Sequence, residues 1–123
     1  MAFVFDTQKL IIMQKTLNNL WLRQTVTADN IANKDTPGFK AKRVMFEDVL
    51  QNIKVNNLPA KGDIPNARVV EDSNTSLMEN GNNVDIDREN LIMLRTQLQY
   101  EAMIRQLSSE FSKIRTAISG GRG

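Results

Sequence analysis

The chain has 123 residues, with 16 Lys and Arg against 14 Asp and Glu, and neither cysteine nor histidine. That length allows one domain, or part of one completed by partners. Disulfides, thiol nucleophiles, the usual zinc sites and His-based acid–base chemistry are excluded, and a net charge of +2 is too mild to imply a nucleic-acid partner. No apolar run approaches the roughly 18 residues that suggest a membrane span. Met1 to Met13 lacks a basic start, contains Asp6 and has no small-residue cleavage site, so no Sec-type signal peptide is expected.

Residues 6–33 read as one long helix. Leu10, Met13, Leu17, Leu20, Thr27 and Ile31 recur near a spacing of three and four, Gln24 interrupts the stripe, and Ile12, Trp21, Val26 and Ala28 widen it. Asp6 is expected to cap this helix, with Phe5 and Leu10 at the two positions of a hydrophobic staple. Thr36-Pro37-Gly38-Phe39 stops it in a type II turn: Pro sets φ at the second position and Gly supplies φ > 0 at the third. Asn30 and Asn33 flank the helix end, where short amides bond orphan carbonyls or tolerate the left-handed region.

Phe39 to Met45 is expected to run extended. Phe46, Val49, Leu50 and Ile53 match one face of a short helix over 46–54. The insert over 55–86 differs in kind, holding Pro59, Pro65, Gly62, Gly81 and many asparagines. Val69-Val70 suits a short strand, and the rest reads as loop or irregular structure, partly β or mobile.

A second long helix is expected over 87–119. Asp87 is placed as its cap, with Ile86 and Leu91 as a second staple. Leu91, Leu94 and Leu98 begin its stripe, and Tyr100, Ile104, Leu107, Phe111, Ile114 and Ile118 continue it in strict heptad spacing until Gly120 and Gly121. The fold class is therefore mainly α: two long terminal helices form an antiparallel hairpin or coiled coil within a single domain, 1–123. Trp21, Leu22, Met93 and Met103 lie off the main stripes and ask for further partners, which helices of this kind find in other subunits.

Rival readings of single features are weaker. Asn83, Asp85 and Asp87 alternate like the start of a calcium loop, but Arg88 and Leu94 stand where that loop needs Gly and Glu. Lys40, Lys42 and Arg43 form a basic cluster too small for nucleic acid and suit a solvated or inter-subunit face. Glu47 and Asp48 are adjacent on a helix and point apart, so they make no acid–base pair.

Two stretches carry more than pattern. Asn30-Ile31-Ala32-Asn33-Lys34-Asp35-Thr36-Pro37-Gly38-Phe39-Lys40 closely resembles the motif of the flagellar rod and hook axial proteins, Asn-Ile-Ala-Asn followed by Thr-Pro-Gly and an aromatic. Gly81-Asn82-Asn83-Val84-Asp85-Ile86-Asp87-Arg88-Glu89 resembles the motif that opens the C-terminal helix in that family, where Leu98-Gln99-Tyr100 also finds a counterpart. The likeness covers residues 8–54 and 81–119, and the segment 55–80 carries little of it. Hook and distal rod members have large extra domains for which this chain has no room. The short member called protein C typically bears a Pro-and-His segment after the turn, whereas here the turn is followed by Phe46-Glu47-Asp48-Val49-Leu50.

The resemblance implies a structural subunit of the proximal rod, without enzymatic activity, cofactor, metal, nucleic acid or small-molecule substrate. It implies self-assembly with other flagellar rod proteins, contact with the MS ring through rod adaptor protein E, and export by the flagellar type III apparatus without a cleaved signal peptide to a periplasmic rod in the basal body. The alternatives are another short rod subunit of the protein C type, or a small helical adaptor or nucleic-acid-binding module. The motif residues are Asn30, Ile31, Ala32, Asn33, Thr36, Pro37, Gly38 and Phe39 at the turn, and Asn83, Val84, Asp85 and Asp87 at the second helix start. The stripes would supply the assembly interface through Leu10, Leu17, Leu20, Leu98, Tyr100, Ile104, Leu107, Phe111, Ile114 and Ile118.

Overall fold

The computed structural model describes residues 2–46, 67–73 and 79–120. Its elements in chain order are α1 (Ala2–Ala32), β1 (Lys42–Met45), β2 (Arg68–Glu71) and α2 (Ile86–Gly120). The fold is mainly α, as expected. The two helices run antiparallel: Lys9 meets Glu110 near one end of the pair, and Asn30 meets Glu89 near the other. At about 1.5 Å per residue they are ~46 and ~52 Å long. No described helix is long and apolar enough to cross a membrane.

Both helix starts differ from expectation. α1 continues back to Ala2, so Asp6 lies inside it and cannot cap it, and the Phe5–Leu10 staple has no helix start to brace. α2 begins at Ile86, and the cap is Asp85 rather than Asp87: Asp85 Oδ1 accepts from the backbone N–H groups of Asp87 (3.1 Å) and Arg88 (3.4 Å). Leu91 is exposed, so the second staple is absent. The short helix over 46–54 lies outside the described residues except for Phe46, as do Pro59, Gly62, Pro65 and Gly121.

The seam between the helices follows a heptad, but only partly along the expected residues. In α1, Met13, Thr16, Leu20, Thr27 and Asn30 are buried, with Arg23 half-buried between them. In α2 the matching rows are Glu89, Met93, Thr96, Tyr100, Met103, Leu107, Glu110 and Ile114, each buried or half-buried. Tyr100, Leu107 and Ile114 keep their expected places. The alternate row is one residue earlier than the apolar pattern suggests, so Glu110 is buried at 4% exposure while Phe111 stands out at 52%. Threonine suits these positions because it is short and its hydroxyl is satisfied within its own helix. Thr16 Oγ1 donates to Ile12 O at 2.8 Å and Thr96 Oγ1 to Ile92 O at 2.7 Å.

β1 crosses this pair and supplies the core. Leu20, Val44 and Phe46 form a buried cluster, against which Leu22, Val26, Ala67, Tyr100 and Met103 pack. Leu22 and Met103 thus find their partners inside the chain, while Trp21 remains exposed. Val69 and Val70 do form a strand: β2 pairs antiparallel with β1, Arg43 opposite Val70 and Val44 opposite Val69. The Arg23 guanidinium lies 4.3 Å from the Phe46 ring centroid and closes the cluster on one side.

The buried carboxylate in the seam is held by cations. Lys9 Nζ lies 2.7 Å from Glu110 Oε1 and Lys113 Nζ 3.5 Å from it. The hydrogen bond from Lys9, aided by the Lys113 charge and opposed by burial, holds the Glu110 carboxyl below its ordinary value of 4.5. A carboxyl whose folded value is depressed stabilises the fold fully above its unfolded value, and loses that contribution as pH falls through the folded one. Lys9→Met is therefore expected to lower the thermal midpoint at neutral pH, and the gap from the unaltered chain should close as pH falls below 4.5. Thermal unfolding followed by circular dichroism across pH checks this. A gap that stays constant through the carboxylate range would contradict the linkage.

Candidate functional site

The turn after α1 has the predicted form. Phe39 N–H donates to Thr36 O at 3.3 Å, and Gly38 has φ of 73°. Asn33 behaves as the helix-end amide it was expected to be: its Nδ2 donates to Asp29 O at 2.8 Å, and its Oδ1 accepts from Thr36 Oγ1 at 3.0 Å. Ile31 is half-buried, and Ala32, Thr36 and Pro37 are exposed.

Asn30 does something else. It is fully buried and bonds no helix carbonyl. Its Nδ2 donates to Lys42 O at 2.9 Å, and its Oδ1 accepts from Lys42 N–H at 3.0 Å. One carboxamide thus takes the place of a neighbouring strand on β1. The ladder parity explains why. Asp72 N–H donates to Ala41 O, so residues 41, 43 and 45 turn their backbone groups toward β2 while Lys42 and Val44 turn theirs the other way. Arg23 meets the second of these, with Nη2 donating to Val44 O at 2.8 Å. Two α1 side chains therefore serve β1 along the edge that β2 leaves open.

The asparagines before α2 close the corner from the far end of the chain. Asn82 Nδ2 donates to Asn33 O at 2.9 Å and Thr36 O at 2.8 Å, while its Oδ1 accepts from Val84 N–H. Asn83 Oδ1 accepts from Ala41 N–H at 2.6 Å and its Nδ2 donates to Asp72 O at 2.6 Å. Gly38 N–H donates to Asn80 O, and Lys40 Nζ to Gly81 O. Gly81 also has positive φ, 83°, and a Cβ there would lie 3.6 Å from Gly38 Cα. Two left-handed glycines thus meet where the two motifs touch.

At the centre sits Glu89, completely buried in the first turn of α2. Its Oε2 accepts from Asn30 Nδ2 at 3.1 Å, and Arg43 Nη1 lies 2.6 Å from its Oε1. The Arg43 contact is electrostatic and lacks hydrogen-bond alignment. The positive end of the α2 dipole favours a carboxylate at this place. The sequence alone does not mark Arg23, Arg43, Asn82 and Glu89 as site residues. For Glu89 a signal existed, since it continues the seam heptad back from Met93.

This constellation holds backbone to backbone and offers no reactive group to solvent. Asn83 Oδ1 and Asp85 Oδ1 accept from backbone N–H groups, and among the described residues no cluster of His, Cys, Asp and Glu is arranged to hold a metal. The basic cluster is not a solvated face. Lys40 bonds Gly81, Lys42 Nζ lies 6.0 Å from the Phe39 ring centroid, and Arg43 faces Glu89; all three are half-buried. Glu47 and Asp48 lie outside the described residues.

The stripe residues divide into two groups. Leu20 belongs to the chain's own core, and Leu10, Leu17, Tyr100, Leu107 and Ile114 are half-buried. Leu98, Ile104, Phe111 and Ile118 are exposed, together with Leu91, Leu94 and Trp21.

The corner coincides with a known family signature. A family model described as "Flagella basal body rod protein" matches residues 12–40. The chain is 31% identical over 119 residues to the flagellar basal body rod protein FlgB of Bacillus subtilis (strain 168), covering 89% of this chain and 92% of that one. The protein of the same name from Borreliella burgdorferi is 34% identical over 117 residues, covering 80% and 86%. That of Salmonella typhimurium is 29% identical over 130 residues, covering 91% and 94%.

Asn30→Ala leaves the Lys42 N–H and C=O unpaired beside β1, which is expected to cost about 2–4 kcal/mol. A lower urea midpoint with an unchanged slope, and faster exchange of the Lys42 amide, would register it. An unchanged midpoint would show that the corner holds without this amide. Nothing lies within 4 Å of a Cβ at Gly38, so Gly38→Val tests backbone strain alone. It should destabilise the chain by about 1–3 kcal/mol, and Gly38→Asn by clearly less. Equal losses in the same unfolding measurement would contradict a left-handed requirement.

Proposed function

The chain belongs to the FlgB family of flagellar basal body rod proteins, structural and not enzymatic, and from that premise we propose how this proximal rod subunit polymerises. The observation that carries the reading is the position of its apolar side chains. One seam joins α1 to α2, yet Leu91, Leu94, Leu98, Ile104, Phe111, Ile118 and Trp21 stay exposed on the outer faces of the same two helices. Apolar stripes of this extent are covered when helices of neighbouring subunits pack against them. The polar corner sets the angle at which the segment after the turn leaves the helix pair, and so presents that segment to a neighbour.

In this reading the chain acts as one rod-subunit domain. It assembles with copies of itself and with other rod components into the drive shaft that transmits torque. Its place is the proximal end, where rod adaptor protein E joins it to the MS ring, and the rod continues distally to the hook. It reaches the periplasm through the flagellar type III apparatus. Stiffness suits the role: two helices of ~46 and ~52 Å, braced along their length, resist bending better than loops.

Phe111→Ala separates folding from assembly. Phe111 is half exposed in the single chain, so its loss should leave expression and chain stability nearly unchanged. In the polymer the same loss should cost about 3–5 kcal/mol per subunit if neighbours bury the ring fully. Cells carrying it should make the protein but lack complete basal bodies and motility, while the exposed Arg105→Ala should behave like the unaltered chain. Motile cells with intact basal bodies would contradict this use of the stripe.

A further inference from the structure

The two edges of the small sheet are treated differently. The outward backbone groups of β1 meet Asn30 and Arg23. Those of β2 meet nothing among the described residues: the sheet has two strands, all four residues of β2 are exposed, and no hydrogen bond reaches its outer side. The parity already established turns Val70 toward Arg43, so the outward N–H and C=O groups of β2 belong to Val69 and Glu71. A bare, partly apolar strand edge is a template for another strand.

We propose that this edge pairs with the same edge of a second copy, antiparallel and two-fold, with Val70 opposite the partner's Val70. The register follows from the parity. A two-fold pair that uses both outward residues of each strand must set Val69 against the partner's Glu71, which makes four backbone hydrogen bonds. Val70 then sits on the axis in a non-hydrogen-bonded pair, and Arg68 falls opposite the partner's Asp72, twice by symmetry. The backbone of Asp72 continues the strand in place, since its N–H donates to Ala41 O and its carbonyl accepts from Asn83 Nδ2. Shifting the register by two residues one way sets Glu71 against the partner's Glu71, which places like charges face to face. The chain's own charge order, Arg68-Val69-Val70-Glu71-Asp72, thus selects a second copy as the occupant.

Such a contact is small, so the pair is weak and transient. It is also closed: a two-fold interface satisfies both edges and cannot propagate, unlike the head-to-tail contact that a growing rod requires. The pair therefore belongs to unassembled subunits, whose strand edges it covers until a neighbour in the rod displaces it.

The chain has no cysteine, so single cysteines report the register directly. Val69 and Val70 are similarly exposed, 44% and 39%, and chance collision treats them alike. In the proposed pair two residues at 70 have Cα atoms about 4.5 Å apart, within disulfide reach, whereas two at 69 are offset along the strands by about 7 Å in addition to the strand spacing and cannot bridge. Under mild oxidation, Val70→Cys should form disulfide dimer at least about tenfold faster than Val69→Cys. Adding Arg68→Glu to Val70→Cys should slow the reaction at low salt and much less at high salt. In the unaltered chain, exchange of the Val69 and Glu71 amides should slow as concentration rises. Equal rates for the two cysteines, a faster Val69→Cys, or no dimer from a normally helical Val70→Cys would overturn the proposal. So would concentration-independent exchange at Val69 and Glu71, which requires no variant at all.

Discussion

A carboxylate taken out of water must be matched where it lies, and Glu89 is matched by two different elements. Asn30 reaches it from the end of α1 and Arg43 from β1. Its own backbone N–H starts the α2 ladder at Asp85 O. Three elements therefore converge on one side chain, and moving any of them strands a buried charge, which costs far more than a lost surface contact. The orientation of the helix pair, the register of β1 and the exit of the turn all depend on this point.

The same logic fixes the helices against sliding. An apolar seam alone tolerates neighbouring registers, because one leucine contact resembles the next. Here polar pairs stand near both ends, Lys9 with Glu110 and Asn30 with Glu89. The residues between the two pairs are equal in number on each helix, so both pairs close in one register only. Between them the seam relies on threonines that satisfy themselves and on a core concentrated where Val44 and Phe46 enter.

Much of this was legible in the residues. The apolar spacing located both long helices within a few residues of their ends, Pro37-Gly38 located the corner, and Val69-Val70 located the second strand. What is not legible has a common cause, namely that polar groups read as surface. Ile104 and Phe111 fit the seam row by apolarity, whereas Glu110 is inside because Lys9 compensates it. Asn30 reads as a helix cap in the sequence, and its partners are a strand and a carboxylate that only tertiary structure brings near. The cap of α2 slipped from Asp87 to Asp85 because either residue offers the same chemistry, and only the entry path decides. Hydrophobic periodicity reports which residues avoid water. It does not report whether they avoid it within one chain or between several, and Phe111 belongs to the second kind in the proposed rod.

The end of α1 is closed by Asn82, whose amide donates to Asn33 O and Thr36 O from 49 and 46 residues further along. Time enters here. When the first forty residues of the chain have been synthesised, the Asn33 and Thr36 carbonyls still lack their partner, which arrives with the opening of the second helix. Until then α1 has neither its seam nor its closing amide, and a lone helix with an unsealed end is marginal in water. The first half of this molecule is therefore unable to commit to its final shape before the second half exists, and an unfinished chain stays pliable until Asn82 and Glu89 are in place.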